Sequence, residues 1–255
     1  MDLVSVFLFI LGLVIGSFLN CVIYRIEVKK SFLSGRSFCP SCKHQLSWLD
    51  LIPVLSYILL SGSCRYCKKR ISVQYPLVEM ATGFLFLFLF NPDHFIRSSY
   101  WVIIFSLFII IFVYDLKHYI IPDKIILPAI GVALAYNTFA VLTGDFSPSY
   151  YFQTLWAGTI PALFFFSLFV LSRGKWIGFG DVKLALAMGF LLGPNRIIVA
   201  LFLAFVIGGI IAVGLIILGK KHMKAEMPFA PFLLLGTVLA HFLGNSMINY
   251  YLHLN

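Results

Sequence analysis

Twenty-two consecutive residues decide the fold: Ile197-Ile-Val-Ala-Leu-Phe-Leu-Ala-Phe-Val-Ile-Gly-Gly-Ile-Ile-Ala-Val-Gly-Leu-Ile-Ile-Leu218. The stretch has no charged side chain, and a helix needs about 20 apolar residues to cross the hydrocarbon core of a bilayer. Similar runs occupy residues 3–18, 101–113 and 229–242. Across the 255 residues, 61% are hydrophobic and only 11% are charged, a balance that excludes an ordinary soluble domain. We therefore predict an all-α polytopic membrane protein.

The apolar runs divide into about eight predicted transmembrane helices, near residues 3–20, 76–91, 100–114, 125–143, 152–171, 182–193, 197–218 and 229–243. Of the 19 Lys and Arg residues, 17 then fall in loops on one side, and only Arg97 and Arg196 lie on the other. The positive-inside rule places the basic loops in the cytoplasm. The net charge of +9 is thus explained by membrane topology, and no nucleic-acid partner is predicted.

Three regions follow from this division. Residues 1–20 form a first transmembrane helix; they lack the basic start and the cleavage site of a secretory signal. Residues 21–75 form a cytoplasmic loop domain, and residues 76–255 form the remaining transmembrane domain. Within the loop, residues 48–60 are apolar but too short to cross a bilayer and are interrupted by Pro53. We expect them to lie along the membrane interface or to pack on the spans.

The loop carries two pairs of cysteines, in Cys39-Pro-Ser-Cys42 and Cys64-Arg-Tyr-Cys67, separated by 21 residues. Each C-x-x-C pair can hold one face of a metal ion, and two pairs complete a closed tetrahedral shell. The pattern predicts a structural zinc site in a zinc-ribbon-like loop. The alternative is a pair of redox dithiols. The fifth cysteine, Cys21, lies near the end of the first span and is interpreted as a packing residue.

Two acidic residues border the apolar spans at the same predicted membrane face. Asp115 ends the third span, and Asp181 begins the sixth within Gly178-Phe-Gly-Asp181. Ionisable groups at such positions are expensive and mark functional sites; taken singly, each could be a solvated helix-end charge. Two carboxyl groups that converge in a partly dry site share one proton, so one can activate water while the other donates a proton. The pair predicts acid proteolysis.

Four further residues are predicted to support this chemistry. Gly178 and Gly180 would allow a backbone or a substrate to approach Asp181 closely, although glycine at a membrane helix end is also ordinary packing. Asp123 follows Pro122 and is expected to begin or cap a helix. Glu79, at the head of the second span, is either a second functional acid or a residue that stabilises the helix dipole.

The residues around Asp115 and Asp123, together with Gly178-Phe-Gly-Asp181, resemble the paired motifs of type IV prepilin peptidases, which are intramembrane aspartyl proteases of the G-x-G-D class. The resemblance extends over nearly the whole chain. It includes these stretches: Gly16-Ser-Phe-Leu-Asn-Cys-Val-Ile-Tyr-Arg25, Ser47-Trp-Leu-Asp-Leu-Ile-Pro-Val-Leu-Ser-Tyr57, Tyr75-Pro-Leu-Val-Glu79 and Met227-Pro-Phe-Ala-Pro231.

This resemblance implies a bacterial cytoplasmic membrane enzyme that cuts the basic leader of prepilins or pseudopilins after Gly, at the cytoplasmic face. It implies that Asp115 and Asp181 are catalytic and that the four cysteines hold the metal. It also implies methylation of the new N-terminal residue with S-adenosylmethionine, with a part played by the N-terminal loop. Gln74 stands where the family usually has a basic residue. Prepilin precursors and membrane lipid are the expected partners.

Three other functions are consistent with parts of this pattern. A peptidase without methyltransferase activity would keep the carboxyl pair alone. A proton-coupled transporter would use the two acids as a relay, but the sequence shows no inverted repeat, and a four-cysteine loop has no evident role in transport. A membrane-anchored zinc-ribbon adaptor would bind partners without catalysis. Loss of leader removal when either aspartate is replaced distinguishes the peptidase from the last two.

Overall fold

The computed structural model describes residues 3–31, 35–219 and 227–253, with side chains described as far as residue 250. These residues form helices and contain no β-strand beyond two isolated bridges. The α-helices are α1 (Leu3–Glu27), α2 (Leu55–Leu59), α3 (Gln74–Leu89), α4 (Phe95–His118), α5 (Asp123–Leu142), α6 (Pro148–Ser172), α7 (Phe179–Ile217) and α8 (Ala230–His253). Two 3₁₀ turns occupy Trp48–Leu51 and Pro92–His94.

Six of these helices are long and apolar enough to cross a membrane, namely α1 and α4 to α8. Their outer faces are apolar: Leu142, Leu171 and Ile217 are all more than three-quarters exposed. Contiguous surfaces of so many large apolar side chains are unfavourable in water. The prediction of an all-α, multi-pass membrane protein is confirmed.

The sixth and seventh predicted spans, residues 182–193 and 197–218, correspond to the two helical segments of α7, which are separated by a break at Gly193. The predicted spans differ from the observed helices at two other places. The second predicted span is the 16-residue α3, which is apolar but shorter than the other candidate spans. Helix α1 also continues beyond Asn20 to Glu27, so Cys21 and Arg25 belong to the helix.

The break in α7 has a clear origin in Gly193-Pro194. Gly193 has φ 74° and ψ −176°, a backbone conformation that is essentially restricted to glycine. Pro194 has no N–H to donate to the carbonyl of Phe190, four residues earlier. The side chain of Asn137 on α5 replaces that donor, with Nδ2 2.8 Å from Phe190 O in a buried position. One α5 side chain therefore stabilises the broken helix.

Chain packing defines two compact units, Met1–Ile110 and Ile111–Asn255. In the first unit, α1 packs on α3 through glycine: a Cβ at Gly16 would lie 2.7 Å from Glu79 Cα, and one at Gly12 would lie 2.7 Å from Thr82 O. In the second unit, α7 packs on α5, α6 and α8. Small residues let membrane helices approach closely, and the two glycines of α1 allow such an approach to α3.

Candidate active site and metal centre

The two predicted catalytic aspartates lie at helix ends within the second unit. Asp115 is in the last turn of α4, is 5% exposed, and accepts a hydrogen bond from the backbone N–H of Ala230 at the start of α8. Asp181 is in the first turn of α7, and its Oδ2 accepts the N–H of Gly178 at 3.3 Å. The two carboxyl groups interact electrostatically. The structure thus brings together two acids that are 66 positions apart in the chain.

One oxygen of this pair has no protein partner. Among the described residues, no donor reaches Asp115 Oδ2, although the atom is buried. A buried carboxyl oxygen without a hydrogen bond is costly, and such atoms concentrate where a proton or a water molecule is used. Ala230 belongs to the late motif Met227-Pro-Phe-Ala-Pro231, so that motif serves to place a backbone donor beside Asp115.

The glycines before Asp181 have different roles. A Cβ at Gly180 would lie 2.9 Å from Ile121 Cβ, in the turn between α4 and α5. A Cβ at Gly178 would meet nothing closer than Asp181 Oδ2, at 3.6 Å. Gly180 therefore allows the start of α7 to pack against the turn that follows Asp115, whereas Gly178 contributes its backbone N–H.

Asp123 begins α5, and it forms an ion pair with Lys183, whose Nζ lies 2.5 Å from Asp123 Oδ1. The Asp123 side chain is 61% exposed, so it is a hydrated partner rather than a buried acid. The pair links the starts of α5 and α7. Sequence reasoning missed Lys183, and the only signal was its place two residues after Asp181.

The four predicted metal ligands come together in the first unit. The Sγ atoms of Cys39, Cys42, Cys64 and Cys67 all lie within 4.8 Å of one another, and they form the one such cluster among the described residues. A tetrahedron of thiolates bound at roughly 2.3 Å has edges of about 3.8 Å, so the arrangement fits a metal ion with modest contraction. Cys21, in α1, is not part of the cluster.

Each cysteine pair lies in a short turn, which we call a knuckle, and the two knuckles have the same pattern of backbone hydrogen bonds. In the first, Cys39 N–H donates to His44 O, Lys43 N–H donates to Cys39 O, and Lys43 has φ 61°. In the second, Cys64, Lys68 and Lys69 repeat these bonds, and Lys68 has φ 57°. Antiparallel bridges close the two knuckles, Phe38 to Gln45 and Ser63 to Arg70. This local repeat was missed at the level of sequence, where Cys-x-x-Cys-Lys at both sites was the available signal.

Ionisation of these four thiols would place several negative charges close together. Burial opposes ionisation of Cys39, but hydrogen bonds from the backbone of Cys42 and Ser41 outweigh it and lower its pKa to about 7. A hydrogen bond from the His44 backbone favours the Cys42 thiolate, but desolvation and the sulfurs of Cys39 and Cys67 raise the pKa of Cys42 to about 11. Four thiolates so close together need a cation to be ionised at once. The donor set therefore fits a metal.

Glu79 lies in α3 of the first unit and is bonded to two of the motifs noted in the sequence. Its carboxylate accepts the Val54 N–H at 2.7 Å and a hydrogen bond from Ser17. Nearby, Asn20 Nδ2 donates to Tyr75 O at 2.9 Å, and Gln74 Nε2 donates to Asn20 Oδ1 at 3.3 Å. Glu79 thus holds the loop to the helices, which sequence reasoning had not foreseen.

Family models match most of the chain. The bacterial peptidase A24 N-terminal domain matches residues 10–92, and the type IV leader peptidase family matches residues 102–213. The first match contains the cysteine knuckles and Glu79, and the second contains both aspartates.

Curated relatives match over nearly their whole length. A prepilin leader peptidase/N-methyltransferase of Bacillus subtilis is 31% identical, over 96% of this chain and 96% of its own length. Proteins of the same name from Aeromonas salmonicida and Burkholderia pseudomallei are 31% and 33% identical, over 96% and 93% of this chain and 92% and 85% of their own lengths. Comparison with solved structures gave no significant match.

Proposed function

Because this chain belongs to the type IV leader peptidase family, we propose that it removes the leader of prepilin or pseudopilin precursors with a carboxyl pair formed by Asp115 and Asp181. The observation that carries this proposal is the position of the two carboxyl groups, at the ends of α4 and α7, where the charge of Asp115 acts on Asp181. Each carboxyl is also held by a backbone N–H, from Ala230 and Gly178.

The proposed reaction follows from two neighbouring acids that share one proton. The ionised carboxylate takes a proton from water as the water attacks the peptide carbonyl, and the protonated carboxyl donates to the developing oxyanion. Proton return to the leaving amine then completes cleavage after the Gly of the leader. Asp115 Oδ2, which has no donor among the described residues, is available for one of these proton transfers. Gly178, Gly180 and Asp123 position Asp181 and do not exchange protons.

The second proposed activity is N-methylation of the residue that cleavage exposes. The curated relatives carry N-methyltransferase in their names, and S-adenosylmethionine would supply the methyl group to an amine that the chain has only to orient. In the first unit, Gln74 Oε1 is a buried acceptor that no described donor reaches, beside the buried amide of Asn20. These groups fit a ligand or substrate that brings N–H donors.

Zinc is the metal we propose for the four cysteines, in a structural role. A closed set of four thiolates leaves no open position for a substrate, and zinc favours such tetrahedral sulfur sites. We also place the chain in the bacterial cytoplasmic membrane, with its active site at the cytoplasmic face. The support for that placement is the excess of Lys and Arg in four loops on one side.

Co-expression of the chain with a prepilin tests the function directly. We expect a mobility shift from leader removal, which Asp115→Asn and Asp181→Asn abolish without lowering protein levels. Asp145→Asn is the matched control, because Asp145 is an exposed acid in the loop between α5 and α6. Cleavage that survives both active-site substitutions would remove the catalytic assignment.

The mass of the mature pilin N-terminus tests the second activity. We expect the added mass of one methyl group, dependent on S-adenosylmethionine. Cleaved pilin without that methyl group would identify a peptidase that lacks the methyltransferase activity.

A further inference from the structure

The loop between α1 and α3 turns its apolar side chains outward. Residues 48–59, the interface segment, comprise the Trp48–Leu51 turn, a short link and α2. Trp48 is 73% exposed, Ile58 64% and Leu59 74%. Leu49, Leu51 and Leu55 are exposed as well. So many large apolar side chains on one short segment mark an interaction surface.

The one charged side chain of this segment, that of Asp50, points inward. The Asp50 side chain is only 4% exposed. Its Oδ1 accepts from Arg65 Nε at 2.7 Å, and its Oδ2 accepts from Ser47 Oγ at 2.8 Å and Tyr66 Oη at 3.2 Å. A loop that faces water places its charges outside and its leucines inside. The opposite arrangement indicates that the surroundings of this segment are apolar.

The outward side chains belong to an ordered surface. Arg65 and Tyr66 lie between Cys64 and Cys67, so the second knuckle holds one end of the segment through Asp50. Glu79 on α3 holds its middle through the Val54 N–H. Val54 has φ 60°, which is costly for a β-branched residue and persists only where neighbouring contacts impose it.

Charge and chain continuity identify what covers this surface. Between residues 25 and 75 there are nine Lys and Arg residues but only two acids, which favours an anionic membrane surface. The loop follows α1, a helix able to span the membrane. The apolar exposure also continues into Val73 and Leu77, where α3 begins.

We propose that the interface segment is a monotopic membrane anchor that inserts Trp48, Ile58 and Leu59 into the boundary between lipid headgroups and acyl chains. Such segments lie in the membrane plane and bury their apolar face about 5–10 Å deep. The second cysteine knuckle and Glu79 set its position. The cysteine loop is thereby docked on lipid, independently of the cleavage reaction.

Fluorescence quenching of Trp48 tests the anchor in the full-length chain. Trp101, Trp156 and Trp176 are replaced by Phe, which leaves Trp48 as the sole tryptophan. The protein is reconstituted in vesicles of phosphatidylcholine and phosphatidylglycerol. Quenchers are lipids with a nitroxide near the headgroup or at the acyl end, and aqueous acrylamide. The control carries Trp48→Phe and Lys69→Trp, because Lys69 is an exposed basic residue of the second knuckle.

The anchor predicts a blue-shifted Trp48 emission, strong quenching by the shallow nitroxide, weaker quenching by the deep nitroxide and little quenching by acrylamide. The tryptophan at position 69 should show the reverse preference. Equal acrylamide quenching at both positions would overturn the proposal. Protection of Trp48 from every quencher would also overturn it. Constant protection would indicate that the chain itself covers Trp48, protection that depends on protein density would indicate a second copy, and protection that depends on added prepilin would indicate the substrate.

A second pair of variants distinguishes loss of the anchor from a defect in folding. Leu59→Glu places a charge at the most exposed position of the segment and should increase acrylamide quenching of Trp48 and decrease lipid quenching. Leu59→Met should leave both unchanged. Resistance of the loop to limited proteolysis reports its correct folding in these variants. Unchanged quenching in Leu59→Glu with a protease-resistant loop would also overturn the anchor.

Discussion

The cysteine knuckles and the carboxyl pair are built in opposite ways. Each knuckle is closed by hydrogen bonds between residues no more than a few positions apart, such as Cys39 to His44. The proposed carboxyl pair joins Asp115 and Asp181 from the ends of two long helices. It depends on the glycine contact at Gly180, on the Ala230 N–H at the start of α8 and on the Gly178 N–H at the start of α7. A local site is encoded by its own spacing, whereas the acid pair is encoded by helix packing.

The largest expected effect comes from breaking the local site. Replacing one ligand in each knuckle, Cys39→Ser with Cys64→Ser, should abolish stoichiometric metal binding and make the loop sensitive to protease. The reason is that binding of a structural zinc ion provides on the order of 10 kcal/mol of folding free energy. Metal analysis and limited proteolysis measure both effects. Cys21→Ser is the control and should keep the metal; retention of metal by the double variant would refute the tetrad.

The two glycines before Asp181 test whether packing builds the acid pair. Gly180→Ala forces Ile121 away and should lower the rate of leader cleavage by on the order of 10-fold or more, because a misplacement of about 1 Å can cost 100-fold. Gly178→Ala has room for its Cβ and should retain most of the activity. The comparison is made with purified variants on one prepilin substrate. Equal effects at the two positions would contradict the steric account.

The broken helix α7 offers a smaller test of the same packing. Asn137→Leu removes the donor to Phe190 O and leaves a buried carbonyl unpaired, which should lower the free energy of unfolding by about 1–3 kcal/mol. Thr138→Ala changes a neighbouring residue that is exposed and should have little effect. Thermal unfolding in detergent measures the difference. An Asn137→Leu variant as stable as the parent would show that Pro194 needs no external donor.

The smallest effect concerns the link between the second knuckle and the interface segment. Burial opposes ionisation of Asp50, but hydrogen bonds from Arg65, Ser47 and Tyr66 outweigh it and hold its pKa below the usual 3.8. The stability that Asp50 contributes is therefore complete above pH 3.8 and is lost as the pH falls through the lowered value. Because Arg65 is about half exposed, solvent screening keeps the contribution of this ion pair small.

Asp50→Asn should remove this part of the acid sensitivity. The measurement is the pH dependence of protease sensitivity in the loop, and Asp93→Asn, an exposed acid outside the loop, serves as the control. An identical acid profile in Asp50→Asn and the parent would mean that the Arg65 link is without effect.

The cysteine cluster could be predicted from the sequence more directly than the carboxyl pair. Two C-x-x-C pairs predicted the cysteine cluster from spacing alone, because each knuckle is local. The membrane fold followed from apolar run lengths, and the predicted boundary between the sixth and seventh spans coincides with the break at Gly193. The hydrogen bond from Asn137 to Phe190 O at this break was not predicted. Both aspartates were identified from their positions and the family resemblance. Lys183 and the Ala230 N–H were not, because only tertiary packing brings them to the site.

The catalytic partnership of Asp115 and Asp181 is tested most directly by the cleavage rates of Asp115→Asn, Asp181→Asn and the double variant on one prepilin. Residues that act as a unit have non-additive effects. We predict that each single variant loses as much activity as the double variant. Near-normal cleavage by either single variant, or a double variant whose loss is the product of two partial losses, would contradict a shared-proton pair.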